Sequence, residues 1–184
     1  MGGPSSSSGA RGPGSSWKLN PTGRWIMPAL ERVRALLDEE GLRYEIVEHG
    51  EELTAREEAE ASGLPPNHWA KSLAVLLDGR PALAVLSADR RLDLNELREV
   101  AGARKAELVQ EDALSELYPD CDLGALPPFG GLYGQPTYVD TSLRQASRIG
   151  FHAGTHTETL LLSYPEFERA AQPVVGWFAR EQDA

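Results

Sequence analysis

Apolar residues recur along this chain at two spacings, which predict helices in some stretches and strands in others. Residues 28–40 carry leucines and a valine at helical spacing and stop before Gly41, a residue that often ends a helix. Capping signals, in which a small polar residue precedes a glutamate by three positions, predict three further helix starts, at residues 54–57, 93–96 and 163–166. The first of these short helices is expected to end at Gly63.

Strand patterns occupy much of the remaining chain. Residues 71–77 and 82–87 are apolar runs joined by Asp78, Gly79 and Arg80, which predicts a β-hairpin. Shorter strands are predicted at 42–48, 105–109, 138–139, 147–152 and 157–162. We therefore predict an α+β fold, a single compact domain in which a mixed, mostly antiparallel and barrel-like sheet is surrounded by helices.

Length and cysteine content narrow the class of protein. The 184 residues suit one domain with a core of its own, and the single cysteine, Cys121, excludes a disulfide framework. No apolar run is long enough for a membrane-spanning helix, so we expect no membrane partner and a cytoplasmic location. Residues 1–25, rich in Gly, Ser and Pro at their start, are expected to be a disordered leader or tail, with the folded domain at 26–184.

The charge distribution limits contact with nucleic acids. Residues 1–25 contain three basic and no acidic side chains, which leaves 15 basic and 28 acidic residues, a net charge of −13, in the rest of the chain. Affinity for a nucleic-acid backbone comes mainly from Lys and Arg. The excess of acidic residues therefore argues against extensive electrostatic binding of duplexes, and we expect no sequence-specific DNA binding. A nucleic-acid substrate would be contacted locally.

A turn rich in proline and glycine is the first candidate for chemistry. Gly124, Gly130 and Gly131 provide backbone freedom and close approach, whereas Pro127 and Pro128 stiffen the segment and remove two amide hydrogens. A rigid loop of this kind can direct its remaining amides at a carbonyl oxygen and stabilise the negative charge that develops during ester hydrolysis. A plain connecting loop is the alternative.

Lys71 is the second candidate, because it begins an otherwise apolar strand. A surface lysine at a strand end is the common case. The functional alternative is a compact positive charge directed at a phosphate or ester oxygen.

A segment with two histidines is the third candidate. A metal site would use His152, His156 and Glu158, but the partner cysteines of a deaminase signature are absent and Gly154 disfavours the helix that would bring both imidazoles to one face. A structural histidine pair and a pocket lining are the other interpretations. We expect no metal or other cofactor.

Other reaction classes find no support in the sequence. There is no Gly-x-Ser-x-Gly elbow, and Cys121 lies between Asp120 and Asp122, whose charges raise a thiol pKa. Walker and dinucleotide-binding motifs are also absent, which argues against phosphoryl and hydride transfer.

These features, in their order along the chain, resemble the YbaK/prolyl-tRNA synthetase-associated domain family (ProX/YbaK-like). The resemblance spans about residues 30–178 and rests on five segments: Thr54-x-Arg-Glu-Glu-Ala, Trp69-Ala-Lys-Ser-Leu, Gly124-Ala-Leu-Pro-Pro-Phe-Gly, Phe151-His-Ala-Gly-Thr-His-Thr-Glu and Tyr164-x-Glu-Phe with Gln172-Pro173. It implies a compact mixed sheet wrapped by helices. It also implies a trans-editing aminoacyl-tRNA deacylase whose partners are the aminoacyl-tRNA 3′ end and an aminoacyl-tRNA synthetase.

The resemblance also assigns roles to residues. Lys71 matches the family lysine at the phosphate or ester, and Gly124 and Pro128 match the Gly-x-x-x-Pro loop whose amides engage the aminoacyl carbonyl. The implied catalytic set is Lys71, Gly124, Ala125, Leu126, Pro128 and Gly130. The implied substrate-binding set is Ser72, Phe129, His152, Gly154, Thr155 and His156. Family members usually carry Asn where this chain has His152.

Two rival functions follow from the same residues. A non-catalytic module could bind an amino acid or nucleotide in the same pocket, since binding and catalysis call for the same charge at Lys71. A metal-dependent hydrolase built on His152 and His156 is the other rival. An aminoacyl ester is already activated and carries a neighbouring ribose hydroxyl, so positioning and oxyanion stabilisation would suffice for hydrolysis.

Overall fold

A β-hairpin lies at the centre of the computed structural model, which describes residues 17–20, 22–48, 60 and 62–182. Strands β4 (Ala70–Leu77) and β5 (Arg80–Ser87) pair antiparallel along their full length. Residues 82–87 of β5 are all buried, because this strand has neighbours on both sides and packing on both faces. The predicted hairpin is confirmed.

The hairpin is extended into a mixed five-stranded sheet. Its other members are β7 (Ala106–Leu108), β8 (Thr137–Asp140) and β11 (Val174–Gly176), in the order β11-β8-β5-β4-β7. Strand β8 runs parallel to β5 and β11, whereas β4 pairs antiparallel with β5 and β7.

A second, antiparallel sheet packs beside the first. It contains β3 (Glu45–Glu48), β10 (Glu158–Ser163) and β9 (Arg148–His152), in that order. A bridge between Trp69 and Gly150 connects the start of β4 to β9. Two small ribbons complete the strands, β1 (Lys18–Leu19) with β2 (Trp25–Ile26) and β6 (Arg90–Leu92) with β12 (Ala179–Glu181).

The described residues form four α-helices around these sheets. They are α1 (Ala29–Glu39), α2 (Leu94–Ala101), α3 (Glu111–Leu117) and α4 (Tyr164–Ala171). Short 3₁₀ helices occur at Pro66–His68, Gly130–Tyr133 and Thr141–Gln145. Helix α1 buries Ala29, Val33 and Leu37, which lie one turn apart on the same face.

The predicted α+β class is confirmed, and so are the capped helices α2 and α4. The side chain of Asp93 accepts from the amides of Asn95 and Glu96, and that of Ser163 accepts from Glu166. The helix predicted from residues 54–57 lies outside the described residues. No helix among the described residues is long and apolar enough to cross a membrane.

Several elements differ from the prediction. Strand β3 covers only the second half of 42–48, and helix α3 was not predicted because its apolar stripe is only two turns long. Strands β1, β2, β6, β11 and β12 were missed too; each has two or three residues, too few to show an alternating pattern. Strand β1 and Trp25 lie within residues 1–25, and the proposed domain boundary after residue 25 stays a prediction.

The buried carboxylate of Asp140 fixes the C-terminal segment to the central sheet. Only 2% of this residue is exposed. Its side chain accepts hydrogen bonds from the amides of Phe178 (2.8 Å), Ala179 (2.9 Å) and Ser142 (2.9 Å). Phe178 in turn fills the core beneath α2, so one carboxylate orients both a 3₁₀ helix and the chain entering β12.

We expect Asp140→Ala to lower the free energy of unfolding by about 2–4 kcal/mol, since three amides lose a charged acceptor in a buried position. Urea denaturation followed by circular dichroism measures the change. Asp112→Ala is the matched control, because Asp112 is exposed and its side chain accepts one hydrogen bond among the described residues, from its neighbour Ala113. Equal effects from the two substitutions would contradict this role for Asp140.

Candidate active site

The proline–glycine loop (residues 122–131) is fastened to the turn between β9 and β10. The amide of Asp122 donates to the carbonyl of Gly154 (2.8 Å), and the amide of Gly154 donates to the carbonyl of Ala125 (2.8 Å). The imidazole Nε2 of His156 lies 2.7 Å from the carbonyl oxygen of Leu123. Two segments that are distant in sequence are therefore joined by three polar contacts.

Two glycines of this loop are required by its geometry. Gly124 has φ +80°, a left-handed conformation that side-chain-bearing residues rarely adopt. A Cβ atom at Gly130 would lie 2.7 Å from both the carbonyl oxygen of Gln135 and the hydroxyl of Thr137. A Cβ atom at Gly131, by contrast, would meet open space, so the fold itself does not require glycine there and its role in close approach of a ligand stays a prediction.

Some amides of the loop already donate a hydrogen bond within the protein, and others do not; we call these the used and the unused donors. The amide of Ala125 donates to the carbonyl of Asp122 (3.1 Å), and that of Gly130 donates to Thr137 Oγ1 (2.8 Å). Among the residues that the structure describes, none offers an acceptor to the amides of Gly124 and Leu126. Of the predicted catalytic positions in the loop, Gly124 and Leu126 therefore retain donors for a ligand, whereas Pro128 has none to give.

Side chains within the loop mostly face the interior. Ala125, Leu126 and both prolines are buried, and the Phe129 ring packs against Phe151 and Phe167 at centroid distances of 5.4 and 5.6 Å. The ring of Phe129, a predicted substrate-binding residue, is thus engaged in the core. The loop presents mainly backbone to its surroundings.

Lys71 lies near the start of β4, opposite Leu86, and is half-buried. Its ammonium donates to the carbonyl of Arg90. Burial lowers the pKa of Lys71 below the usual 10.5, and the nearby carboxylate of Asp89 partly opposes this effect. An ammonium has three donors, so two remain for a ligand.

Ser72 faces away from Lys71. Successive side chains of a strand point to opposite faces, so Ser72 lies on the face that carries Ala70 and Ala74. Its hydroxyl is buried and has no hydrogen-bond partner among the described residues. The predicted role of Ser72 in substrate binding stays a prediction.

A row of three rings connects the start of β4 to the proline–glycine loop. The rings of Trp69 and His152 meet edge to face at 4.9 Å, and those of His152 and His156 at 5.0 Å. His156 Cε1 lies 3.6 Å from the position of a Cβ atom on Gly124. Trp69 is extended and two residues before Lys71, so both side chains lie on the same face of β4.

The histidine segment does not form a three-ligand cluster. His152 Nδ1 is 3.4 Å from the carbonyl of Glu158, and Thr155 Oγ1 contacts the Glu158 carboxylate at 3.4 Å. No group of three or more His, Cys, Asp or Glu side chains that could hold a metal ion occurs in the described part of the chain. The geometry favours a wall of imidazole, threonine and glycine over a metal centre.

An apolar pocket of about 210 Å³ opens beside the loop. Leu114 and Tyr118 line it from α3 and the residue after that helix, and Cys121, Gly124 and Leu126 line the other side. The ring row and Lys71 do not line this pocket. It lies on the α3 side of the loop.

A buried ion-pair cluster, unrecognised in the sequence, joins the two ends of the loop. The Asp120 side chain is 1% exposed and accepts from Arg32 Nη1 of α1 at 2.8 Å and from the Tyr133 hydroxyl at 3.0 Å. Arg32 also donates to the carbonyl of Leu132 and lies over the Tyr133 ring at 4.8 Å. Arg32 thus contacts Asp120 just before the loop and Leu132 and Tyr133 just after it.

Cys121 lies next to this cluster, in surroundings that favour the neutral thiol. Burial raises the pKa of Cys121 to about 12, and the negative charge of Asp120 adds to the effect. Its sulfur lies 3.2 Å from the Tyr133 hydroxyl oxygen. The predicted influence of Asp120 on this thiol is confirmed.

Comparison with known proteins identifies the family. Residues 49–170 match the model of the aminoacyl-tRNA editing domain. The chain belongs to this family. The match begins after α1, so the aminoacyl-tRNA editing domain includes the proline–glycine loop and Lys71, whereas Arg32 and the β1–β2 ribbon lie outside the matched residues.

Two curated proteins are similar to this chain over most of its length. The multifunctional Ser/Thr-tRNA deacylase ProXp-y of Escherichia coli K12 is 30% identical over 155 residues, which are 82% of this chain and 92% of that protein. The prolyl-tRNA editing protein ProX of Acetoanaerobium sticklandii is 29% identical over 150 residues, 78% of this chain and 90% of that protein. The resemblance to ProX/YbaK proteins is confirmed, and with it the class of activity, aminoacyl-tRNA deacylation.

A solved structure confirms the fold. A crystal structure presented as a candidate trans-editing enzyme for prolyl-tRNA synthetase superposes with a TM-score of 0.73 at 23% identity, and the match covers 86% of this chain and 99% of that one. The sheets and helices described above are thus those of an editing domain.

We expect Asp120→Asn to lower kcat for deacylation, up to about 10²-fold, because a neutral amide holds Arg32 less firmly and the loop amides lose their alignment. Deacylation of a confirmed aminoacyl-tRNA substrate, with kcat and KM measured separately, provides the test. Tyr133→Phe, which keeps the ring and removes one donor to Asp120, is expected to have a smaller effect. Wild-type kcat in Asp120→Asn would contradict a positioning role for the cluster.

Proposed function

We propose that this protein hydrolyses the ester bond of mischarged aminoacyl-tRNA in trans. Three observations support this proposal: membership of the family, similarity to a tRNA deacylase and a tRNA editing protein over most of this chain, and the composition of the loop. The site contacts the terminal adenosine and its phosphate, and a synthetase or another factor carries the tRNA body. The net charge of −13 outside residues 1–25 favours such local contact.

The observation that carries the mechanism is the pair of unused amides in a loop fixed at both ends. The contacts to Gly154 and His156 hold the loop before substrate arrives, so the amides of Gly124 and Leu126 need no rearrangement to donate. Preorganised donors of this kind stabilise an oxyanion more effectively than water does. Ala125 and Gly130 belong to the loop's internal hydrogen bonding and contribute by holding its shape.

Lys71 supplies the positive charge in this mechanism. Its ammonium attracts the phosphate or the ester oxygen of the terminal nucleotide through the donors that Arg90 leaves unused. Partial burial strengthens that attraction, because fewer water molecules screen the charge.

The chemical step is the addition of water to the ester carbonyl carbon. The carbonyl oxygen gains negative charge, which the amides of Gly124 and Leu126 stabilise. The ester C–O bond then breaks, and the departing ribose oxygen takes a proton that is relayed by the neighbouring ribose hydroxyl. The products are the free amino acid and tRNA with its terminal diol restored, and no protein nucleophile takes part.

The side-chain pocket of the substrate is formed by the ring row and the turn after β9. His152, Gly154, Thr155 and His156 provide its wall, whereas Ser72 lies on the opposite face of β4 from Trp69 and Lys71. A deacylation screen over several mischarged tRNAs, with correctly charged tRNAs as controls, identifies the amino acid. Absence of hydrolysis of every aminoacyl-tRNA tested would overturn the proposed function.

We expect Lys71→Ala to reduce kcat/KM by about 10²-fold or more, because a preorganised charge at the reacting group is lost. Lys71→Arg is also expected to be impaired, since a planar guanidinium replaces a compact ammonium. Steady-state deacylation measures both, and Lys105→Ala is the control because Lys105 is exposed and its ammonium forms a surface ion pair with Glu107. Wild-type kcat/KM in Lys71→Ala would contradict the assigned role.

The same lysine predicts a pH dependence. The ammonium persists below the lowered pKa of Lys71 and is lost as pH rises through it, so kcat/KM should fall at a pH below 10.5. Spontaneous ester hydrolysis is measured in parallel and subtracted.

Gly124→Val is expected to lower kcat by about 10²–10³-fold, because valine cannot adopt φ +80° and the Gly124 amide is displaced. Leu126→Ala keeps its amide and should mainly change which amino acid is accepted. Steady-state kinetics with circular dichroism as a folding check compares the two variants. Equal and small effects would show that the loop is only a connection.

A further inference from the structure

We infer that a groove beside the β1–β2 ribbon binds the single-stranded 3′ segment of the tRNA. This tryptophan groove, of about 440 Å³, is lined by Trp17, Asn20, Arg24, Trp25, Arg32 and Pro119 among others. The identity of the RNA rests on the proposed function. Seven of the eight lining residues precede the residues that match the editing-domain model, and Pro119 lies within the matched residues.

The chemistry of the groove suits unpaired nucleotides. Two tryptophan side chains offer faces on which bases stack, and Arg24 offers donors to a phosphate, whereas Arg32 is paired with Asp120. None of the residues lining the groove is acidic. Stacking on aromatic rings beside cations is the usual way in which proteins hold single strands without reading their sequence.

Charge complementarity supports the same occupant. Lys18 and Arg24 are exposed and form no ion pair among the described residues. Residues 1–25 carry no acidic side chain, whereas the rest of the chain has a net charge of −13. A polyanion is therefore attracted to this edge and repelled from most of the remaining surface.

Hydrogen bonds to Asn20 hold the backbone of Arg24 in the β1–β2 ribbon. The Asn20 side-chain oxygen accepts from the amide of Arg24 (2.7 Å), and the Asn20 amide donates to the carbonyl of Arg24 (2.8 Å). These bonds fix the backbone of Arg24 immediately before Trp25, so that a base and its phosphate meet a ring and a guanidinium from adjacent residues.

The groove leads to the proposed reaction site. Pro119 lines it and directly precedes Asp120, and Arg32 belongs both to the groove and to the cluster that closes the proline–glycine loop. A strand lying in the groove passes this cluster on its way to the loop amides. A neighbouring pocket along the ribbon is lined by both Lys18 and Glu116, so its charges oppose each other and favour a phosphate less than the groove does.

Binding of a fluorescently labelled oligoribonucleotide that ends in CCA tests the inference by anisotropy. Trp25→Ala should weaken binding about 5- to 150-fold, the effect of losing one stacked base. Arg24→Glu should also weaken it, and Arg24→Ala should reduce the slope of log K against log salt by about 0.7, as expected for one phosphate contact on a single strand. Arg24 is exposed, so its variants report on binding even if Trp25→Ala fails to fold.

Matched controls are available elsewhere on the surface. Trp177 is 73% exposed and Arg104 is an exposed cation, and neither lines the groove. Trp177→Ala and Arg104→Ala are expected to bind as the wild type does. If Arg24→Glu binds within twofold of wild type, or if the controls lose as much affinity as the groove variants, the inference is wrong.

Kinetics separate this inference from the proposed function. With full-length aminoacyl-tRNA, the loss in Arg24→Glu should appear in KM, with much less change in kcat. A wild-type protein that binds the oligonucleotide but hydrolyses no aminoacyl-tRNA would refute the proposed function and leave the groove supported. A wild-type protein that deacylates tRNA while Arg24→Glu retains its KM would refute the groove alone.

Discussion

The geometry of the candidate site depends on one buried carboxylate, that of Asp120. A carboxylate with 1% exposure is costly unless its oxygens are satisfied, and here Arg32 and Tyr133 satisfy both. Burial raises the pKa of the Tyr133 hydroxyl, so it stays protonated and able to donate. Arg32 also donates to the carbonyl of Leu132, so the Arg32–Asp120 ion pair connects the two ends of the loop. The loop amides are therefore held within a small range of positions.

In the proposed mechanism, a loop held in this way allows hydrolysis without a nucleophilic side chain. The one cysteine is kept neutral by burial, and the histidines are engaged in ring contacts and in contacts to carbonyls. We propose that fixed dipoles and one ammonium suffice for an ester that is already activated. In this proposal, rigidity of the backbone takes the place of a catalytic base.

Local signals in the sequence predicted the elements that local interactions determine. The capping residues Asp93 and Ser163 and the turn after β4 each depend on neighbours within a few positions, and the structure has helices and a hairpin there. The Arg32–Asp120 pair joins residues 88 positions apart, and no periodicity reveals such a pair. The division of loop amides into used and unused donors was equally hidden, because it depends on where Thr137 places its hydroxyl.

An editing protein must bind the 3′ end of a large polyanion and then release it, and the charge distribution of this chain affects both steps. An acidic body repels the tRNA backbone at distances comparable to the Debye length, about 8 Å at physiological ionic strength. Attraction then falls to exposed or partly buried cations, among which Lys71 lies at the proposed reaction site and Arg24 lines the tryptophan groove. An RNA held only at its 3′ end leaves quickly once the ester is cleaved, because few phosphate contacts remain to retain the product.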